Sequence, residues 1–227
     1  TCCYPDTSHT TMTVCDTVVW NGTTYHNSGV YTYFPDFVQL GQDIDGEAAG
    51  DNSGHAVSLS SNGNTVAIGA PGNDDNGTDA GHVRVYKNVS GIWTKKGDDI
   101  YGSPTPWFNS NPRSGTSLSL SSNGDIVAVG SPWISNYFQQ YVGEVRIYEW
   151  SGTSWNQLGG VFNYQPEDDG FLGWSVSLSD DGYTVAIGAY NVDGPNNNNP
   201  NYPPQDNVGQ VRIFNWDGNS WIQLGQT

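Results

Sequence analysis

The sequence predicts an all-β chain built from tandem four-stranded antiparallel repeats. Three observations carry this expectation. One segment occurs three times, as AVSLSSNGNTVAIGA (56–70), SLSLSSNGDIVAVGS (117–131) and SVSLSDDGYTVAIGA (175–189). Its turn glycines, Gly63, Gly124 and Gly182, recur about every 60 residues, the spacing of tandem structural units. Each copy is followed by a second shared block: GHVRVYKNVSGIWTKKG (81–97), GEVRIYEWSGTSWNQLG (143–159) and GQVRIFNWDGNSWIQLG (209–225). Apolar and polar residues alternate within the blocks, as in Val83-Arg84-Val85-Tyr86, and no 3.6-residue apolar period persists over ten residues.

Composition sets the limits. The chain has 227 residues, 35% of them hydrophobic, and 29 are glycine, which suits a folded protein with many tight turns. Only 13% are charged, yet the net charge is −16. Such a surface repels phosphate backbones and anionic membranes, so nucleic-acid binding is not expected, while cations are attracted. No run of 18 apolar residues could span a bilayer, and no signal-peptide pattern is visible.

In chain order, residues 1–36 form a small cysteine-containing module. CDTVVWNGTTYHNSGVYTYF (15–34) reads as a hairpin around Asn21-Gly22, a pair suited to a two-residue turn. The three cysteines, Cys2, Cys3 and Cys15, lie within the first 15 residues. A disulfide between Cys15 and either Cys2 or Cys3 fits an oxidising compartment, leaving one thiol to pair elsewhere. A zinc site there would need about four ligands, and His9 adds only one.

Residues 37–227 hold three repeats, about 41–97, 98–159 and 160–225, and FVQLG (37–41) matches the end of a preceding one. In the first repeat the strands fall near 56–60, 65–70, 82–88 and 92–96, rich in Val, Ile, Tyr and Trp. Asn62-Gly63 and Ser90-Gly91 supply the hairpin turns. Four antiparallel strands per tandem unit is the pattern of a β-propeller blade. Propellers close with about four to eight blades. The sequence therefore predicts further blades of a longer parent chain or self-association of copies, two of which would make a six-blade ring.

The two repeated blocks resemble the FG-GAP-type repeats of integrin-like β-propellers, in versions found in large secreted and surface proteins of marine bacteria. The resemblance covers about 37–227 and implies the fold and an extracellular or cell-surface location. Residues 15–34 also resemble a short module of bacterial surface adhesins. Integrin-type repeats carry a DxDxDG-like calcium loop between the first two strands. Here that loop reads SSNGN, SSNGD or SDDGY, so the family's ligands are absent. Asp74, Asp75 and Asp79 lie in a different, oxygen-rich loop that is either a Ca²⁺ site or a solvated acidic turn. Asp43, Asp45 and Glu47 form a second such cluster.

Strand parity sorts the loops. Those after the first and third strands are short, and those after the second and fourth are long: 71–81, 98–115, 132–142, 160–173 and 190–208. Long loops on a rigid scaffold are where binding residues gather. The candidate ligand-binding residues are Trp107, Trp133, Tyr137, Tyr141, Tyr190 and Tyr202, aromatics beside carboxylates and amides, which suit a glycan or a protein partner. Trp93, Trp155 and Trp221 repeat at one position and read as blade packing. Arg84, Arg146 and Arg212 also repeat and read as outward residues whose stems cover apolar surface.

No G-x-S-x-G or H-E-x-x-H motif occurs, and no catalytic residue is assigned. Glu167, Asp168 and Asp169 are the one acidic run that could serve as acid and base. N-x-S/T triplets at Asn21, Asn76 and Asn88 matter only in a glycosylating host. The expectation is a non-enzymatic extracellular adhesion or interaction module. The alternatives are a structural segment of a fibre, filament or phage tail, and a secreted polysaccharide hydrolase on a propeller scaffold.

Overall fold

The structure, a computed structural model, describes residues 11–14, 18–20, 23–25, 29–32, 39–104, 111–136, 140–163, 170–192 and 208–225. The chain divides into two compact units, Thr1–Leu40 and Gly41–Thr227. In the first, β1 (Thr11–Val14) pairs antiparallel with β4 (Gly29–Thr32), and β2 (Val18–Trp20) pairs with β3 (Thr23–Tyr25). Trp20 lies opposite Thr23, and Asn21-Gly22 lie outside the described residues. Cys2, Cys3 and Cys15 lie outside the described residues.

The second unit consists of three blade-like antiparallel sheets that do not close into a ring. Blade 1 has the order β5 (Ala56–Leu59), β6 (Thr65–Ala70), β7 (His82–Val89), β8 (Ile92–Lys95), with a short β9 (Ile100–Tyr101) added to β7. Blade 2 repeats it as β10 (Ser117–Leu120), β11 (Ile126–Ser131), β12 (Glu144–Trp150), β13 (Trp155–Gln157), with β14 (Phe162–Asn163) on β12. Blade 3 is β15 (Ser175–Leu178), β16 (Thr184–Ala189), β17 (Gln210–Trp216) and β18 (Trp221–Leu224). No helix occurs among the described residues. The register is the same in each blade: Ile68 opposite Arg84, Val129 opposite Arg146, Ile187 opposite Arg212.

The repeated S-x-(N/D)-G turn is closed by its own side chains. Asn62, Asn123 and Asp181 each accept from the backbone N–H two residues on, at 2.9, 3.0 and 2.9 Å. The serine two residues earlier accepts from the next strand, as Ser60 Oγ does from Thr65 N at 2.9 Å. Gly63, Gly124 and Gly182 then take φ of +69°, +73° and +80°, the left-handed region that glycine enters without steric cost.

Blades stack through repeated contacts. Val83, Val85, Leu118, Leu120, Val127 and Val129 form the core between blades 1 and 2. Ile126, Val145, Ile147, Leu172, Val185 and Ile187 belong to the core between blades 2 and 3. A Cβ at Gly69 would overlap the Gly115 carbonyl oxygen, and one at Gly130 would overlap that of Gly173, so these glycines let adjacent backbones meet. The Trp155 indole donates to Lys96 O (2.7 Å) and the Trp221 indole to Leu158 O (3.0 Å), which makes the repeated tryptophans latches between blades. Ser58 Oγ accepts from Leu120 N and Ser119 Oγ from Leu178 N, both at 3.0 Å.

Candidate functional site

Each blade begins with one tight turn. Asn52, Arg113 and Phe171 occupy equivalent positions with φ of +56°, +52° and +48°. Each carbonyl accepts from the N–H three residues on, in His55, Thr116 and Trp174, at 3.0, 3.1 and 3.2 Å. The framework is constant, so the side chains can vary. A left-handed backbone is uncommon for an arginine or a phenylalanine, and such conformations gather at functional sites. After the second strand the chain continues Pro71-Gly72, Pro132-Trp133 and Tyr190-Asn191. From blade 1 to blade 3 this edge passes from polar groups to aromatic rings.

The rings form one cluster. Trp133 lies 5.3 Å from Tyr141, 5.1 Å from Phe171 and 6.1 Å from Trp174 between centroids. Tyr190 lies 5.3 Å from Phe171 and 4.6 Å from Trp174. Phe171 is buried beneath, while Tyr141, Trp174 and Tyr190 are exposed at the surface. The Arg113 guanidinium sits 5.6 Å from the Trp133 ring centre, a cation–π arrangement, and 3.6 Å from Asp79 Oδ2. Beside the rings a cavity of about 340 Å³ is lined by Asn52, His55, Asp79, Arg113, Trp133 and Trp174, among others.

Of the aromatic residues expected at a ligand site, Trp133, Tyr141 and Tyr190 come together here. Trp107, Tyr137 and Tyr202 lie outside the described residues, as do Glu167, Asp168 and Asp169. Arg113 lies in the long 98–115 loop that the sequence assigns to the candidate face, whereas Trp174 was not singled out. The signal that could have found Trp174 is the variation of His55, Thr116 and Trp174 at one position of an otherwise regular repeat.

The acidic loop is internally bonded. Asp74 Oδ1 accepts from Asp79 N at 2.8 Å, Asp75 Oδ2 from Asn73 Nδ2 at 3.3 Å, and Asp79 Oδ2 from Asn111 Nδ2 at 2.8 Å. The 60–64 turn is likewise closed by Ser60 and Asn62 and offers no carboxylate.

Two of the repeated arginines, Arg84 and Arg146, correct the sequence expectation. Arg84 is buried, donating to Asp45 O at 2.7 Å and Ser53 Oγ at 3.1 Å. Arg146 donates to Ser103 Oγ at 2.6 Å and lies 3.0 Å from Glu144 Oε1. They tie inter-strand loops to the third strand, because a buried guanidinium needs acceptors more than an apolar surface needs its stem. Burial pushes the Glu144 carboxyl up, with Arg146 and then Ser103 opposing. Burial also pushes the His82 imidazole down, against the pull of Asp99 and Glu47, so it is uncharged at neutral pH.

Residues 44–86, which include β5, β6 and the first part of β7, match the FG-GAP repeat family model. Over that stretch the chain is similar to an FG-GAP repeat. Three solved structures are similar in part. Saccharomyces cerevisiae Sqt1 is 15% identical, with a TM-score of 0.45, over 78% of this chain and 36% of that one. A putative 6-phosphogluconolactonase from Bacteroides uniformis is 14% identical, TM-score 0.45, over 95% and 50%. The periplasmic gluconolactonase PpgL of Pseudomonas aeruginosa is 17% identical, TM-score 0.42, over 87% and 60%. The chain thus spans less than two thirds of each. No curated protein matches it. Among the described residues no helix is long and apolar enough to cross a membrane.

Proposed function

We propose that this FG-GAP repeat protein is a non-enzymatic recognition module of an extracellular or cell-surface protein. It binds a glycan through the long-loop edge shared by blades 2 and 3. The observation that carries this reading is the aromatic cluster, with exposed Trp174 lining the cavity together with Arg113, Asp79, Asn52 and His55, and exposed Tyr190 packed against Trp174. Ring faces stack on the apolar faces of sugars, while amides, carboxylates and guanidinium groups take the hydroxyls. The same features suit a protein partner, since exposed Trp, Tyr and Arg are the anchors of protein interfaces. Asp79 is engaged by Asn111 and Arg113, so it is poorly placed to act as an acid or base.

The test is retention on a panel of immobilised glycans and surface polysaccharides by the wild-type chain and by Trp174→Ala/Tyr190→Ala. Both residues are exposed, so the fold is retained, which circular dichroism checks. The double variant should bind at least about tenfold more weakly, a loss of about 1.4 kcal/mol. Unchanged binding by the double variant would sink the assignment of the site.

A structural, self-associating segment is favoured by a second observation. Leu59 in blade 1 is 59% exposed whereas its blade 2 counterpart Leu120 is 7% exposed. At the other flank, Val211 is 68% exposed whereas Val145 is 0% exposed. Both flanks present a face that elsewhere in the molecule is covered by a neighbouring blade.

A further inference from the structure

One repeat position differs in kind between blades. His82 opens β7, and Glu144 opens β12 at the equivalent place. In blade 2 the surrounding group is closed: Ser103 Oγ donates to Glu144 at 3.2 Å, and Arg146 reaches both. Glu47 stands in blade 1 where Ser103 stands in blade 2, each six residues after its repeat glycine, Gly41 or Gly97. Asp99 likewise corresponds to Val161.

Blade 1 is not closed in this way. The His82 side chain is 1% exposed, and neither ring nitrogen has a hydrogen-bond partner among the described residues. Such a group costs free energy unless something satisfies it. Its Nδ1 faces Glu47 Oε2 at 3.8 Å, beyond hydrogen-bond range. One donor atom each from Glu47, His82 and Asp99 all lie within 4.8 Å of one another. Two ligands bound at about 2.1 Å in tetrahedral geometry stand about 3.4 Å apart, so a small closure brings these donors onto one ion.

We propose that Glu47, His82 and Asp99 bind a divalent transition-metal ion of the zinc type. One imidazole and two carboxylates are three protein ligands, and the half-exposed Glu47 leaves the fourth position toward solvent. The imidazole selects against calcium and magnesium, which take oxygen ligands. The ion would pin the segment carrying Glu47 to β7 and β9, the part Arg84 plays on the same carboxylate. Arg84 lies 3.5 Å from Glu47 Oε1 and Lys95 lies 2.7 Å from Asp99 Oδ1, each engaging one carboxylate oxygen. These two cations compete with the ion for the carboxylates, which weakens its binding.

The test is titration of the chelator-treated full chain with Zn²⁺ by calorimetry, alongside ¹⁵N imidazole NMR of its histidines. His82 resonances should shift at one equivalent of zinc, and Glu47→Gln should weaken that binding at least about tenfold. Glu47 is partly exposed, so this variant keeps its fold where His82→Gln could lose it. The NMR readout separates His82 from zinc held by the N-terminal cysteines or other histidines. Unmoved His82 resonances at saturating zinc, binding unaffected by Glu47→Gln, or an equal response to Ca²⁺ would each overturn the proposal.

Discussion

Blades 2 and 3 carry nearly the same sequence in different surroundings. Val145 and Ile147 on β12 are wholly buried, while Val211 and Ile213 at the same positions of β17 are exposed. Leu158 is partly buried against the core, while its counterpart Leu224 is exposed. The ladder between the second and third strands is alike in both blades, so those hydrogen bonds are not what differs. A blade's apolar side chains are buried by the next blade, and stability resides in the interfaces between repeats.

The largest expected break of this comparison is Ile147→Ala against Ile213→Ala. Ile147 is wholly buried in the core between blades 2 and 3, so truncation should cost about 3 kcal/mol, against less than about 1 kcal/mol for Ile213. Urea denaturation midpoints of the two variants at matched slope measure the difference. Equal costs would mean that the blade 3 flank is covered in solution. Concentration-dependent mass by light scattering would then show whether a second copy covers it.

Next comes Gly130→Ala against Gly188→Ala. A Cβ at Gly130 would meet the backbone carbonyl of Gly173, which cannot move without parting blades 2 and 3. A Cβ at Gly188 would meet Ser175 Oγ, the end of a rotatable side chain. Overpacking should cost about 1–3 kcal/mol at Gly130 and clearly less at Gly188. Equal midpoints for the two variants would mean that close backbone approach is not what holds the blades together.

Much of this architecture was legible because a repeat tests itself. Three copies of one turn with glycine at the left-handed position fixed the hairpins, and β5 to β8 lie within one or two residues of their expected places. The two-residue strands β9 and β14 were hidden, because Ile100-Tyr101 and Phe162-Asn163 are too short to show alternation. They exist because β7 and β12 run past β8 and β13 and offer free edge there. The aromatic edge was half legible: Trp133, Tyr141, Tyr190 and Arg113 sit in long loops, but Trp174 belongs to the turn that starts a blade. The meeting of Glu47, His82 and Asp99 was not legible. It depends on a loop, a strand start and the β9 approach converging from separate stretches of chain.

The smallest expected effect concerns pH. Glu144 is buried in blade 2, where blade 3 has Gln210. Burial raises the Glu144 carboxyl above its ordinary value of 4.5, and Arg146 only partly offsets this. Between the ordinary and the raised value the folded chain holds a proton that the unfolded chain has released. Stability from this group is therefore present below that window and is lost as pH rises through it. Glu144→Gln removes the titration while keeping the hydrogen-bonding shape, as blade 3 does naturally. Asp181 and Asp217 are held low by hydrogen bonds, from Ser179 and Tyr183 N and from Ser220 N and Asn219 N, so they titrate with the opposite sign. They do so in both proteins and cancel in the difference. The urea midpoint of Glu144→Gln should thus gain on that of the wild type from acidic to neutral pH. A gap that moves the other way would mean that the Arg146 pair outweighs burial, and that blade 2 gains from its charge where blade 3 does without one.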